Sequence, residues 1–564
     1  MSAPHFSAMH TARPDPAALA VSYEELGKAW ASAADEAGRR AVIERWDGLR
    51  SSFSTWYELA QARFTQNTGD ETARAERERS DELEPRATSL EVGFLRLLLE
   101  GPHRSELESW LGGHALALWE LKVRAYDPAI EEARVREAKL AAEYTDLIAQ
   151  AKISFRGETF NHASIVKFAQ DPDRAIREEA AIARWAWFED HGETADRIYG
   201  DLVRLRHEMA TTLGHPDFVE LGYERMKRVD YGREDVERFR AEVLRHVVPL
   251  CERLMTRRGE VLGLDRMMFW DEALADPEGN PKPLGDEAWT EAQAAHVFSE
   301  THEQLGQFYE MMGQRGLLDL VTRDGKAAGG YTTFFEEFEV PFVFSNFNGT
   351  LGDVDVLTHE MGHAFQVWSS RELFPMEYRW PTLEACEIHS MSLEHLAWPS
   401  MEHFFGDAAE RYRRIHLEGG LTFLPYGVAV DHFQHLVYER PEAGPADRHA
   451  MWSEMERTYL PWRANGGIRR LESGGRWQAQ LHIYGAPFYY IDYTLALTCA
   501  LQLWAWADRD RPAALEAYVE LCRRGGSAPF QTLARGAGLT SPFDQGCLEE
   551  VVGHAARRLG LEDG

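Results

Sequence analysis

Residues 359–363 of this 564-residue chain read His-Glu-Met-Gly-His, a spacing with a definite chemical use. Two histidines four apart stand one above the other on a helix, close enough to share one metal ion. The glutamate beside the first leans toward a water on that metal. His359 and His363 are thus candidate zinc ligands, and Glu360 is the candidate base that activates the water. In a chain with 22 histidines and abundant glutamate the pattern can arise by chance, so its setting decides. Read as a helix at about 100° per residue, Val354 to Trp368 puts Val354, Leu357, Met361, Phe365 and Trp368 on one stripe and both histidines on the opposite side. The histidines therefore lie off the core face. Gly362 weakens a helix interior by about 1 kcal/mol relative to alanine, which fits another backbone or a substrate passing close by.

A catalytic zinc keeps three protein ligands and one open position, so this helix needs a third ligand from another element. The helix-like stretch TLEACEIHSMSLEHL supplies candidates in Glu384, Glu387 and Glu394. Side-chain chemistry does not rank the three, and any of them could instead be a solvated carboxylate on a helix face.

Three blocks together resemble a known family: FSNFNGTLGDVDVLTHEMGHAFQ from Phe344, EIHSMSLEHLAWP from Glu387, and HIYGAPFYYIDYTLA from His482. The chain is similar to the oligoendopeptidase F and thimet oligopeptidase group of zinc metallopeptidases, and most closely to the Pz-peptidase type. The likeness covers most of the sequence after about residue 150. In that family the third ligand is a glutamate followed seven residues later by another; only Glu387 followed by Glu394 satisfies this. The resemblance therefore implies His359, His363 and Glu387 as metal ligands. Ligating histidines usually pass their other N–H to a carboxylate or carbonyl, which makes Glu394 and Asp355 candidates for that place. Asp355 has a second reading, as an acid favouring the helix dipole. The family's C-terminal histidine and tyrosines fall on His482, Tyr489 and Tyr493, which would steady the oxyanion of peptide hydrolysis. Tyr489 and Tyr493 are four apart, hence on one helix face. Tyr484 and Tyr490 are neighbours with no assigned role. The family's peptide-holding strand falls on Phe344-Ser345-Asn346, where edge pairing would bind an extended chain. His389, His432 and His435 read as structural.

The elements that must position these residues are mainly helical. Charged and apolar residues alternate at three- and four-residue spacing from Tyr23 to about Leu99 and from Ser105 to Ala151, as in a helical lobe. Gln66 to Glu84, rich in Glu and Arg, is either an exposed helix or a mobile connection. Ile153 to Phe160 reads as a short hairpin, and Asp171-Pro172-Asp173 as a turn before another long helix. The division expected is a helical lobe over 1–190 and a catalytic region over 191–564. A loop is expected at Asp276 to Gly285, broken by three prolines. Gly330 to Gly349 reads as a pair of strands, with Pro341 placing one at a sheet edge. The apolar stretch Thr494 to Ala507 is too short to span a bilayer and reads as a core helix.

Hydrophobic residues make up 44% of the chain, enough for a large core, and 92 acidic against 61 basic side chains give a formal net charge of −31. That field repels phosphate backbones and anionic lipid surfaces, which argues against nucleic-acid and membrane partners. Five cysteines without CxxC spacing argue against both a disulfide framework and a thiolate metal site. With no visible secretory signal, the expectation is a cytoplasmic protein, a monomer or weak homo-oligomer. What the resemblance implies is a two-lobed, mainly helical enzyme with a small sheet beside the zinc. Its lobes would enclose a channel that admits short peptides for internal cleavage. A zinc aminopeptidase or carboxypeptidase could use the same ligands, and a noncatalytic helical interaction protein would carry the motif by accident.

Overall fold

The computed structural model describes residues 4–562. In chain order, the helices that bear on the site are α1 (Glu36–Gln66), α2 (Glu71–Glu100), α3 (Arg174–Thr212), α4 (Leu351–Ser369), α5 (Leu383–Leu396), α6 (Ala409–Tyr438), α7 (Tyr490–Ala507) and α8 (Arg511–Arg524). Five short strands are β1 (Ile153–Phe155), β2 (Glu158–Phe160), β3 (Leu318–Val321), β4 (Tyr331–Phe335) and β5 (Val340–Phe347). The mainly helical architecture follows from the amphipathic spacing. Aspartates start three long helices by accepting backbone N–H bonds: Asp35 from Gly38, Asp70 from Thr72 and Ala73, and Asp173 from Ala175. The charged stretch Gln66 to Glu84 forms the end of α1, a short turn and the first half of α2.

The chain divides into two compact units, each gathered from three stretches: Met1–Tyr126, Lys282–Ala409 and Cys499–Leu539; and Asp127–Pro281, Glu410–Thr498 and Thr540–Gly564. This differs from contiguous lobes of 1–190 and 191–564. Residue 190 falls inside α3, which buries Trp187 and Phe188 before that point and Ala195 and Ile198 after it. Discontinuous units of this kind leave no compositional mark where the chain passes from one to the other. The first unit packs Leu26, Trp30, Ile43, Trp46, Leu95 and Trp119 into one core cluster. The second has a cluster around Phe155, Ile165, Trp185, Phe188 and Leu471.

In the second unit β1 and β2 form the expected antiparallel hairpin. Arg156 and Gly157 turn it with φ of 49° and 85°, the left-handed pair that matches strand twist in two-residue hairpins. In the first unit the sheet order is β3-β5-β4, with β3 parallel and β4 antiparallel to β5. The pair of strands read from the sequence is β4 and β5; β3 adds a third. Pro341 thus lies in the central strand, not an edge strand. It is tolerated because β3 meets β5 only from Val343 onward, leaving Pro341 paired to Phe334 alone. The same order bears on the role expected of Phe344-Ser345-Asn346. Phe344 already pairs with Asp319 on one side and Tyr331 on the other, so β5 has no open edge at Phe344; the β4 ladder ends there and does not reach Ser345 or Asn346, and the outer strands are β3 and β4. Among the described residues, no helix is long and apolar enough to cross a membrane.

Candidate active site

Helix α4 is held at its start by Asp353, whose carboxylate accepts the backbone N–H groups of Asn348 at 2.9 Å and Gly349 at 2.7 Å. Val354, Leu357, Met361 and Phe365 are buried on one face. On the other, the side chains of His359 and His363 keep 22% and 12% of their surface exposed, so an ion or solvent can reach them. Gly362 explains how the next element comes so near. A Cβ there would lie 2.5 Å from the Ser390 Cα and 2.7 Å from the His389 carbonyl oxygen, so α5 packs backbone against α4 at the glycine. That contact is the close backbone approach that Gly362 suggested.

The close approach delivers Glu387 from α5. Its Oε2 lies 3.2 Å from His359 Nε2 and 3.4 Å from His363 Nε2, and Ser390 Oγ donates to the same oxygen at 3.0 Å. The ligand atoms of His359, His363 and Glu387 all lie within 4.8 Å of one another, and no other group of three or more His, Cys, Asp or Glu among the described residues is arranged to hold a metal. Glu394, one of the two carboxylates expected behind a histidine, sits 2.7 Å from His359 Nδ1. That contact fixes the ring and turns Nε2 toward Glu387. Burial pulls the Glu387 carboxyl up, but the neighbouring imidazoles outweigh it and hold the group well below the usual carboxylate range. For His359 burial acts downward, and the bonds to Glu387 and Glu394 raise it well above the ordinary imidazole value. Two imidazole nitrogens and one carboxylate oxygen converging on one point fit a divalent cation. Glu384 is buried on α5 and is not part of this group.

Glu360 is buried next to the outer strand β4. Thr332 Oγ1 donates to its Oε2 at 2.7 Å, and a Cβ at Gly330 would lie 3.8 Å from its Oε1. Thr332 is a residue the sequence reading missed; its only signal is membership in the strand-like run before the motif.

The second unit carries the other candidate residues. His482, at the start of a short helix over Leu481–Gly485, and Tyr489 and Tyr493 form an aromatic group with ring centroids 5.9 Å (His482–Tyr489), 6.1 Å (His482–Tyr493) and 4.7 Å (Tyr489–Tyr493) apart. All three are half-buried. Tyr426 donates to Gln480 Oε1 at 2.8 Å, so the amide nitrogen of Gln480 faces His482 Nδ1 at 2.9 Å and donates to it. A proton donated to Nδ1 leaves Nε2 as the N–H donor of the ring. Tyr490 packs edge-on to His482. Tyr484 is buried and stacked 3.5 Å from Tyr144, a core position.

Just before Tyr489, Phe488 holds a φ of 67°, a left-handed conformation that is strained for a bulky residue. Three partners hold it there. Arg228 donates to its carbonyl at 2.6 Å, Gln434 accepts its N–H at 3.0 Å, and its ring lies where a Cβ on Gly222 would stand only 2.6 Å away. Arg228 also pairs with Asp492 at 2.9 Å, both side chains fully buried. Arg228, Gln434 and Gly222 thus set where Tyr489 begins; no sequence spacing connects them to it. The remaining histidines have local partners: His389 Nδ1 contacts the Ala385 carbonyl, His432 Nδ1 the Tyr459 hydroxyl and His435 Nε2 the Tyr223 hydroxyl. Burial pushes His389 and His432 down to about 4.

Residues 167–552 match Peptidase family M3, and residues 6–126 match the Peptidase M3 N-terminal domain. A crystal structure provisionally named oligoendopeptidase F is 45% identical, with a TM-score of 0.95 over 100% of this chain and 99% of that one. PZ peptidase A, solved with an inhibitor, is 44% identical, with a TM-score of 0.94 over 99% of both chains. Oligopeptidase PepF from Bacillus subtilis (strain 168) is 22% identical over 403 residues, 68% of this chain; the match spans 57% of PepF, less than two thirds of that relative's length. With family matches over both its N-terminal stretch and its HExxH region, the chain belongs to peptidase family M3.

Proposed function

We propose that the protein is a zinc-dependent endopeptidase that hydrolyses internal bonds of short peptides. The observation that carries this reading is the convergence of His359, His363 and Glu387 within 4.8 Å, beside the buried Glu360. Two nitrogens and one oxygen suit a catalytic zinc, which keeps a fourth position open. Zinc held there would supply a Lewis acid that acidifies a water and polarises the scissile carbonyl. Glu360 then acts through Oε1, since Thr332 occupies Oε2: it takes a proton from the attacking water and returns it to the departing amine. Thr332 keeps the carboxylate in one rotamer, and Glu394 does the same for the His359 ring.

His482, through Nε2–H, and the hydroxyls of Tyr489 and Tyr493 are assigned to the carbonyl oxygen as it gains charge. Each such donor is worth about 10²–10³ in rate. An extended peptide would lie along the outer strand β4, where glycines 329 and 330 are exposed and leave room beside Glu360. This replaces the pairing expected at Phe344-Ser345-Asn346. The names of the similar proteins, oligoendopeptidase F and oligopeptidase PepF, support oligopeptides as the substrate class, and a cytoplasmic monomer or weak homo-oligomer remains part of the proposal.

The test is Glu360→Gln, assayed on an internally quenched peptide blocked at both ends. The variant should retain zinc and lose turnover by at least about 10²-fold. Near-normal turnover would refute Glu360 as the base, and a wild-type enzyme that leaves the blocked peptide intact would point to an exopeptidase.

A further inference from the structure

A cavity of about 550 Å³ lies wholly within the second unit, lined by residues of α3, of α6, of the helix Val248–Val261 and of the segments beside them. Its volume is that of a small-ligand site, and Trp185, Phe269, Trp270 and Phe423 supply apolar walls. The charged residues on its wall are five arginines and one glutamate. Four of those arginines have carboxylate partners: Arg177 with Asp271 at 2.7 Å, Arg258 with Glu418 at 2.6 Å, Arg463 with Glu272 at 2.6 Å and Arg476 with Glu456 at 2.5 Å. The fifth, Arg184, has no carboxylate partner among the described residues. Its Nε is shut off from solvent without a hydrogen-bond acceptor. Burial, with repulsion from Arg476, lowers its pKa. Arg184 as a whole is half-buried; a guanidinium partly withdrawn from water without a counter-charge is costly, and a carboxylate offers the planar fork that satisfies it.

The cavity adjoins the candidate donor group. Tyr426 and Gln480 both line it, and they hydrogen-bond to each other and, through Gln480, to His482. We propose that Arg184 binds the C-terminal carboxylate of the peptide substrate, anchoring the chain end at a fixed reach from the bond handled by His482, Tyr489 and Tyr493. This rests on the reading of those residues as substrate-binding. A terminal carboxylate is present on every unblocked peptide whatever its sequence, so it suits a sequence-tolerant oligopeptidase better than an acidic side chain does. The consequence is cleavage at a preferred distance from the C-terminus, with the last side chains against the aromatic walls.

The test is calorimetric titration with an alanine-rich hexapeptide as free acid, as C-terminal amide, and as an amide carrying one internal glutamate. The receiving proteins are Glu360→Gln and its combinations with Arg184→Met and Arg184→Lys. Thermal melting checks that each variant folds, and chromatography after titration checks that the peptide is intact. The free acid should bind about 10- to 100-fold more tightly than the amide, the range for a hydrogen-bonded charge. Arg184→Met should bring the ratio close to one, and Arg184→Lys should restore part of it. Equal binding of acid and amide overturns the proposal, as does a ratio unchanged in folded Arg184→Met. Tight binding of the glutamate-bearing amide would assign the cavity to acidic side chains instead, also against it. Wild-type cleavage without acid–amide discrimination removes this subsite and leaves the peptidase reading standing; discrimination without cleavage does the reverse.

Discussion

His359 touches two carboxylates with different work to do: Glu387 faces Nε2, where a metal would bind, and Glu394 faces Nδ1. Replacing Glu394 by glutamine keeps the shape but removes the negative charge that makes the imidazole a better donor. Zinc affinity, measured by chelator competition, should fall about 10- to 100-fold; an unchanged affinity would mean that Glu394 only fills space. The pair His359 and His363 with Glu360 was legible in the sequence because helix geometry is local: three residues within little more than one turn fix their own arrangement. Glu387 was legible only through resemblance, because Glu384, Glu387 and Glu394 share one helix, and only the packing of α5 on α4 selects among them. Thr332, Gln434 and Arg228 were not legible. Each acts through a hydrogen bond across 28 or more residues of sequence, and nothing in their own neighbourhoods announces it.

The arrangement of α4 against α5 depends on one missing methyl group. Alanine at Gly362 would place Cβ 2.5 Å from a backbone carbon and 2.7 Å from a backbone oxygen of α5. No side-chain rotamer can relieve that, so the helices must separate. Overpacking of this kind costs about 1–3 kcal/mol, and the displacement carries Glu387 away from the paired imidazoles. Gly362→Ala should therefore lower both the thermal midpoint and the zinc affinity, read by calorimetry and metal titration. Loss of stability with full zinc affinity would show that the metal group does not depend on this contact. Elements were read well where one periodicity persisted over many residues, as in α1 and α3. The sheet was read in part. β4 and β5 carry a strong aromatic and β-branched signal, whereas β3 is four residues long and indistinguishable by pattern from the end of the preceding helix. Pro341 was read as an edge marker because sequence cannot show that a neighbouring strand stops short of it.

At the scale of the molecule, each unit holds a half-buried carboxylate that arginines keep ionised against desolvation. Glu137 is held down to about 2 by Arg206 and Arg225, and Glu377 to about 2 by Arg50. Both ordinarily titrate at 4.5, so each contributes stability that is fully present above that value. The contribution is lost as pH falls from 4.5 toward 2 and the folded state must take up the proton. Glu137→Gln should destabilise at pH 7 by about 3 kcal/mol, because the buried Arg206 loses its carboxylate, and Glu377→Gln by less, because Arg50 keeps Asp47 at 2.7 Å. The gap from wild type should narrow as denaturant midpoints are measured down to pH 2. A gap that stays constant with pH would mean that these pairs contribute packing and not charge. The two-unit organisation was legible as a class but not as boundaries. The chain crosses between units at points that lie in ordinary turns and helices, and only contacts distant in sequence reveal them.

The central claim is a metal held by His359, His363 and Glu387. Anomalous diffraction from crystals of zinc-loaded protein, collected above and below the zinc edge, tests it most directly. Expected is one strong peak per chain at about 2.0–2.2 Å from His359 Nε2, His363 Nε2 and a Glu387 oxygen, absent in His359→Ala. A peak at any other set of side chains, or none in zinc-loaded protein that cleaves peptides, would contradict it.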